Sequence, residues 1–139
     1  MGPAKILVVE DNPADIHILR RSLVDLGEDF YLEVLSDGER ALEFVFDQRK
    51  NRHDAQPCVI LLDLHLPKHN GIQVLRAIRE EPVLSHVKVV LVTGLASPQE
   101  AAELNHMEAD WRLKPASLSE FSELAAYLIA LCRGIHAAI

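Results

Sequence analysis

Five polar residues stand where apolar runs of this chain stop: Glu10 and Asp11 after Lys5-Ile6-Leu7-Val8-Val9, Asp63 after Val59-Ile60-Leu61-Leu62, Thr93 after Val87 to Val92, and Lys114 after Trp111-Arg112-Leu113. Carboxylates held within a few ångströms of one another repel, and each raises the others' pKa unless a cation neutralises them. If Glu10, Asp11 and Asp63 meet, a divalent metal is implied. Oxygen ligation by a few carboxylates, with positions open to water and phosphate oxygens, suits Mg²⁺, with Mn²⁺ able to substitute, better than zinc. With its charge balanced, Asp63 can attack a phosphoryl group and form an acyl phosphate. The Lys114 ammonium would then neutralise the phosphoryl oxygens, and the Thr93 hydroxyl would donate a hydrogen bond to one of them.

Such a meeting needs a particular scaffold. Runs of four or five adjacent aliphatics predict strands buried on both faces, as parallel sheets require. Lys5 to Val9 is strand one, Phe30 to Leu35 strand two, Val59 to Asp63 strand three, Val87 to Thr93 strand four and Trp111 to Leu113 strand five. Between them, Asn12-Pro13 reads as a helix cap with proline at the first position, followed by Ile16, Leu19, Leu23 and Leu26 at helical spacing up to Gly27. Asp37-Gly38 opens a second helix through Leu42, Val45 and Phe46, and Asp47 to Gln56 reads as a charged, exposed connection. Ile72, Leu75 and Ile78 mark a third helix that ends before Pro82. Ser97-Pro98 starts a fourth with a thin apolar face (Ala101, Leu104), which should be the least firmly held. Leu118, Phe121, Ala125, Leu128 and Cys132 line a long fifth helix. Strands alternating with helices imply right-handed crossovers and a doubly wound α/β fold with a five-stranded parallel sheet. In the common order 2-1-3-4-5 the carboxyl ends of strands one and three flank the topological switch point, which brings Glu10, Asp11 and Asp63 together.

Composition narrows the function. The 139 residues suit one domain, 49% of them are hydrophobic, and a formal net charge of -7 argues against nucleic acid and anionic membrane as partners. No run is long enough to span a bilayer and no signal-peptide order opens the chain, so a cytoplasmic location is expected. Cys58 and Cys132 lack metal spacing and sit among apolar residues, which predicts buried, reduced thiols. His65 and His69 are four apart, but Pro67 between them argues against a helical zinc pair.

The motifs together resemble the response-regulator receiver domain of two-component signalling. The acidic pair stands in VVEDNPAD, the phosphorylated aspartate in ILLDLHLPKHNG, the hydroxyl residue in LVTG and the lysine in WRLKP, and the resemblance spans about residues 5 to 133. It implies the flavodoxin-like receiver fold and transfer of phosphate from a phosphohistidine on a sensor histidine kinase to Asp63. It also implies Mg²⁺ held by Glu10, Asp11, Asp63 and the main-chain carbonyl of His65. Asn is frequent where His65 stands, so that side chain departs from the usual pattern and alters the access of water to the phosphate. The Asp47 to Gln56 connection and the spacing around LPKHNG are similar to single-domain regulators paired with phytochrome-type kinases.

Two rival families compete with that resemblance. Phosphatases that use an aspartyl phosphate place a second Asp two residues after the nucleophile, where this chain has His65. A receiver-like module that only binds would have no need of Glu10, Asp11, Asp63, Thr93 and Lys114 together. Only Gly134 to Ile139 follow the fifth helix, so the expectation is a single receiver domain over 1 to 139 with output by docking or phosphorelay. Trp111, three residues before Lys114, resembles the family's switch aromatic and would answer movement of Thr93. Self-association is expected through the face of helix four, strand five and helix five, with Leu118 and Leu124 as its apolar surface.

Overall fold

A computed structural model describes residues 2–50 and 56–134, and it forms one five-stranded sheet in the order β2-β1-β3-β4-β5. The strands are β1 (Ala4–Val9), β2 (Phe30–Leu35), β3 (Val59–Asp63), β4 (Lys88–Thr93) and β5 (Asp110–Leu113), and every neighbouring pair is parallel. The helices are α1 (Pro13–Asp25), α2 (Gly38–Lys50), α3 (Gly71–Glu80), α4 (Pro98–His106) and α5 (Leu118–Arg133), with a short 3-10 turn at Pro82–Leu84. This is the doubly wound α/β order read from the sequence.

Alternation along the strands divides the core in two. Leu7, Val9, Ile60, Leu62 and Leu91 face one way and pack with Ala41, Val45, Leu75, Ile78 and Leu104. Ile6, Val8, Val59, Leu61 and Val90 face the other way, under Leu19 and Leu23 of α1 and Phe121, Ala125 and Leu128 of α5. All five residues of β3 are buried, which explains its unbroken apolar run. The expected N-cap at Asn12 is present, its side chain accepting from the N–H groups of Ala14 and Asp15.

Several expectations are corrected. The charged connection does not begin at Asp47, because α2 continues through Lys50 with Gln48 buried against the body; residues 51 to 55 of that connection lie outside the described residues. Phe46 follows the buried Val45 by one helical step of about 100°, so it points away from the core and is 51% exposed, with the Lys50 ammonium 4.6 Å above its ring. Leu26 and Leu118 also face solvent, each one lying beyond the turn that packs on the sheet. Strand four starts at Lys88 rather than Val87.

The cysteines are the largest correction. Cys58 and Cys132 form a disulfide, with their Cα atoms 5.0 Å apart across a sequence separation of 74. The reason is topological: Cys58 immediately precedes β3, Cys132 lies in the last turn of α5, and α5 covers the sheet face on which β3 starts. Spacing in sequence carries no trace of that closeness.

Candidate functional site

The crevice forms where the sheet changes winding direction. Val9 pairs with Leu62, so Glu10, the residue after β1, arrives beside Asp63, the last residue of β3. Thr93 ends β4 in register with Leu113, and Lys114 follows directly, its backbone N–H bonded to the Thr93 carbonyl at 2.8 Å. Two glycines let the loops close over this rim. A Cβ on Gly71 would meet the Asp63 carbonyl oxygen at 2.6 Å, and one on Gly38 would meet the His69 carbonyl oxygen at 2.2 Å. The β3 to α3 loop is therefore held tightly behind Asp63. Asn70 completes it with a capping box to Gln73 at the start of α3.

Carboxylate oxygens of Glu10, Asp11 and Asp63 all lie within 4.8 Å of one another, Glu10 and Asp63 buried and Asp11 exposed at the mouth. Glu10 is fixed by the backbone N–H groups of Asp11 and Asn12, which donate to Oε2 at 3.1 and 3.0 Å. The N–H of His65 donates to Asp63 Oδ1 at 3.1 Å. Lys114 Nζ lies 2.9 Å from Glu10 Oε1, 3.2 Å from Asp63 Oδ2 and 3.4 Å from Asp15 Oδ2. Burial drives the Glu10 carboxyl above the ordinary range; the Lys114 hydrogen bond opposes this and the Asp63 charge adds to it. Burial opposes the charge on Lys114, but its contacts with Glu10 and Asp63 outweigh that and raise its pKa, so it stays an ammonium.

Thr93 is 1% exposed, and its hydroxyl donates to the Leu95 carbonyl at 2.8 Å and accepts from the Leu95 N–H at 3.2 Å. The structure thus brings Glu10, Asp11, Asp63, Thr93 and Lys114 to one rim. Trp111 lies further back, half-buried between β5 and α4, with Nε1 donating to Asn105 Oδ1 at 2.9 Å. Asp15 is a site residue that the sequence reading missed. Its only signal was an acid in the first turn of α1, which a helix dipole accounts for equally well. The other missed feature is the ring of His65, which reaches Glu100 on α4.

Three carboxylates converging within 4.8 Å, one of them open to solvent, fit a hard divalent cation with room for water and phosphate oxygens. Because burial favours the protonated form of Glu10, the folded domain carries a cost when Glu10 ionises, present above its raised pKa and absent below the ordinary carboxylate value. A bound cation removes that cost. Mg²⁺ should therefore raise the unfolding temperature more at neutral than at mildly acidic pH, and Asp11→Asn, which removes one carboxylate charge from the cluster, should weaken Mg²⁺ binding. Thermal unfolding and calorimetric titration check both. Equal Mg²⁺ stabilisation at the two pH values would contradict the assignment of Glu10.

The sequence profile of the response regulator receiver domain matches residues 6–125. The chain belongs to that family. Response regulator Rcp1 of Synechocystis sp. is 38% identical over 91 residues, which cover 66% of this chain and 62% of Rcp1, just under two thirds of its length. The crystal structure of the phosphorylated cyanobacterial phytochrome response regulator RcpA superposes with a TM-score of 0.81 at 26% identity, covering 95% of each chain. The Mn²⁺-bound form of Rcp1 gives a TM-score of 0.77 at 29% identity, covering 92% of this chain and 93% of that one. The receiver keeps its acidic cluster where a divalent metal fits, and among the described residues no helix is long and apolar enough to cross a membrane.

Proposed function

We propose that this receiver accepts a phosphoryl group on Asp63 from the phosphohistidine of a sensor histidine kinase, and that Mg²⁺ is required. The observation that carries the reading is the single ammonium of Lys114 set between Asp63 and Glu10 inside a three-carboxylate cluster. A bound Mg²⁺, held by Glu10, Asp11, Asp63 and the His65 carbonyl, would supply charge neutralisation for the anionic donor. The Asp63 carboxylate forms the new O–P bond as the N–P bond of the donor breaks, and the electron pair of that bond stays on the imidazole nitrogen. Lys114 is placed to neutralise phosphoryl oxygen as the bond forms. Thr93 can turn its hydroxyl from the Leu95 carbonyl to a phosphoryl oxygen. The chain performs this transfer on itself and loses the phosphate slowly to water, which makes it a signalling protein rather than a catalyst of turnover.

Because RcpA is a phytochrome response regulator, a phytochrome-type kinase in the cytoplasm is the partner we favour. The signal then passes on by protein docking or phosphorelay. A second copy is the further partner we propose, through the face of α4, β5 and α5. Leu124 is buried in the core and leaves that face, but Leu95, Leu113 and Leu118 are 76%, 63% and 72% exposed and carry its apolar character. Sedimentation should show a dimer at tens of micromolar that Leu118→Lys reduces; a wild-type monomer with and without phosphate contradicts it.

Incubation with acetyl phosphate and Mg²⁺ should add one phosphate per chain. Fluoroberyllate, a mimic of the acyl phosphate, should change the fluorescence of Trp111, the one tryptophan in the sequence. Its ring is tied to Asn105 on α4, so movement of α4 alters its surroundings. Thr93→Ala should blunt that change while leaving Mg²⁺ binding intact. Emission unaltered in intensity and wavelength at saturating mimic would break the proposed link from Thr93 to Trp111.

A further inference from the structure

His65 follows Asp63 by two residues, and its ring is half-exposed between the crevice and α4. One ring nitrogen, Nδ1, lies 3.3 Å from the Thr93 hydroxyl, and the other, Nε2, lies 2.9 Å from Glu100 Oε2. Glu100 uses its second oxygen for a different task, accepting from the Ser97 backbone N–H at 2.9 Å while the Ser97 side chain accepts from the Glu100 N–H, the capping box of α4. The ring therefore spans from the hydroxyl residue of the site to the carboxylate that organises the first turn of α4. This helix has little else to hold it by burial, since Leu104 is its one buried side chain. Its later turns are tied by Arg76 to Glu103 at 2.8 Å and by Trp111 to Asn105.

We propose that the His65 side chain is a latch, a positioning residue that couples Thr93 to the first turn of α4. The hydroxyl of Thr93 cannot turn toward Asp63 and keep its place beside Nδ1. Its departure takes away the neighbour that one of the two ring nitrogens faces. What is left is an exposed contact with Glu100, which water and salt compete for, so the first turn of α4 gains freedom to move. The release half of the latch rests on the phosphorylation of Asp63 proposed above; the holding half does not. Through Trp111 and Asn105 the same helix reports its position to β5.

Amide hydrogen exchange of residues 101 to 106 in the unphosphorylated protein tests the holding half directly. His65→Phe keeps a flat ring but removes both nitrogens, and it should speed exchange there severalfold. In a Glu100→Ala background the same change should have no further effect, because the contact is already gone. Exchange in His65→Phe that matches wild type, or effects of His65→Phe and Glu100→Ala that simply add, would overturn the latch. For the release half, Mg²⁺ with fluoroberyllate should raise exchange in wild type toward the level of His65→Phe and raise it little further in that variant. A mimic that binds and leaves α4 exchange unchanged overturns release. An Asp63 that takes up no phosphate would sink the proposed phosphorylation instead, and the exchange of the unphosphorylated variants would still decide the latch.

Discussion

Asp63→Asn should abolish the uptake of acid-labile phosphate from acetyl phosphate, a loss of three orders of magnitude or more. The amide keeps the shape of the side chain and can still accept from the His65 N–H, which now bonds Oδ1 at 3.1 Å. What disappears is the proposed nucleophile and one charge of the acidic cluster. An amide oxygen does not form a stable phosphoryl ester, and loss of one of three converging carboxylates also weakens the hold on a divalent cation. The local balance of charge moves as well, because Lys114 then keeps Glu10 and Asp15 as partners without Asp63. Phosphate uptake by the variant at rates near wild type, followed by intact mass before and after mild acid, would show that another side chain is the acceptor.

Reduction of the Cys58–Cys132 bond should lower stability by about 4.5 kcal/mol at most, the chain-entropy value for a closed loop of this size, since the linked residues are 74 apart in sequence. The bond ties the last turn of α5 to the chain just before β3, the central strand of the sheet. Without it α5 is still held by Phe121, Ala125 and Leu128 against the sheet, so the reduced domain should remain folded. Denaturant unfolding with and without dithiothreitol measures the difference, and Cys132→Ser should behave like the reduced protein whether or not reductant is present. Two titratable free thiols in the purified, oxidised domain would contradict the pairing.

What could be read from residue order was whatever depends on local period and on strand ends. Val59 to Leu62 is apolar throughout because both faces of β3 are covered, and the polar residue that stops such a run must lie at the rim. The topological rule for doubly wound sheets then places Glu10 beside Asp63. Contacts across elements left no such mark. Asp15 looks like any acid in a first helical turn until α1 is seen to bring it to Lys114. Leu124 and Leu118 are both leucines of one helix, and only the packing of α5 decides that the first is buried and the second bare. His65 was recognisable as a departure from the usual residue, but its span to Glu100, 35 positions away, needed α4 in place. Cys58 and Cys132 failed for the same reason: apolar neighbours describe a buried thiol and a disulfide equally well.

Borohydride trapping tests most directly whether Asp63 itself becomes an acyl phosphate. Reduction of an aspartyl phosphate cleaves the acyl C–O bond and converts that residue to homoserine, which peptide mass mapping locates. After incubation with acetyl phosphate and Mg²⁺, the account predicts homoserine at position 63 and nowhere else, with none formed when the metal is chelated. Phosphorylated protein that yields no homoserine at position 63, or yields it at Asp11 or Asp15, would contradict it.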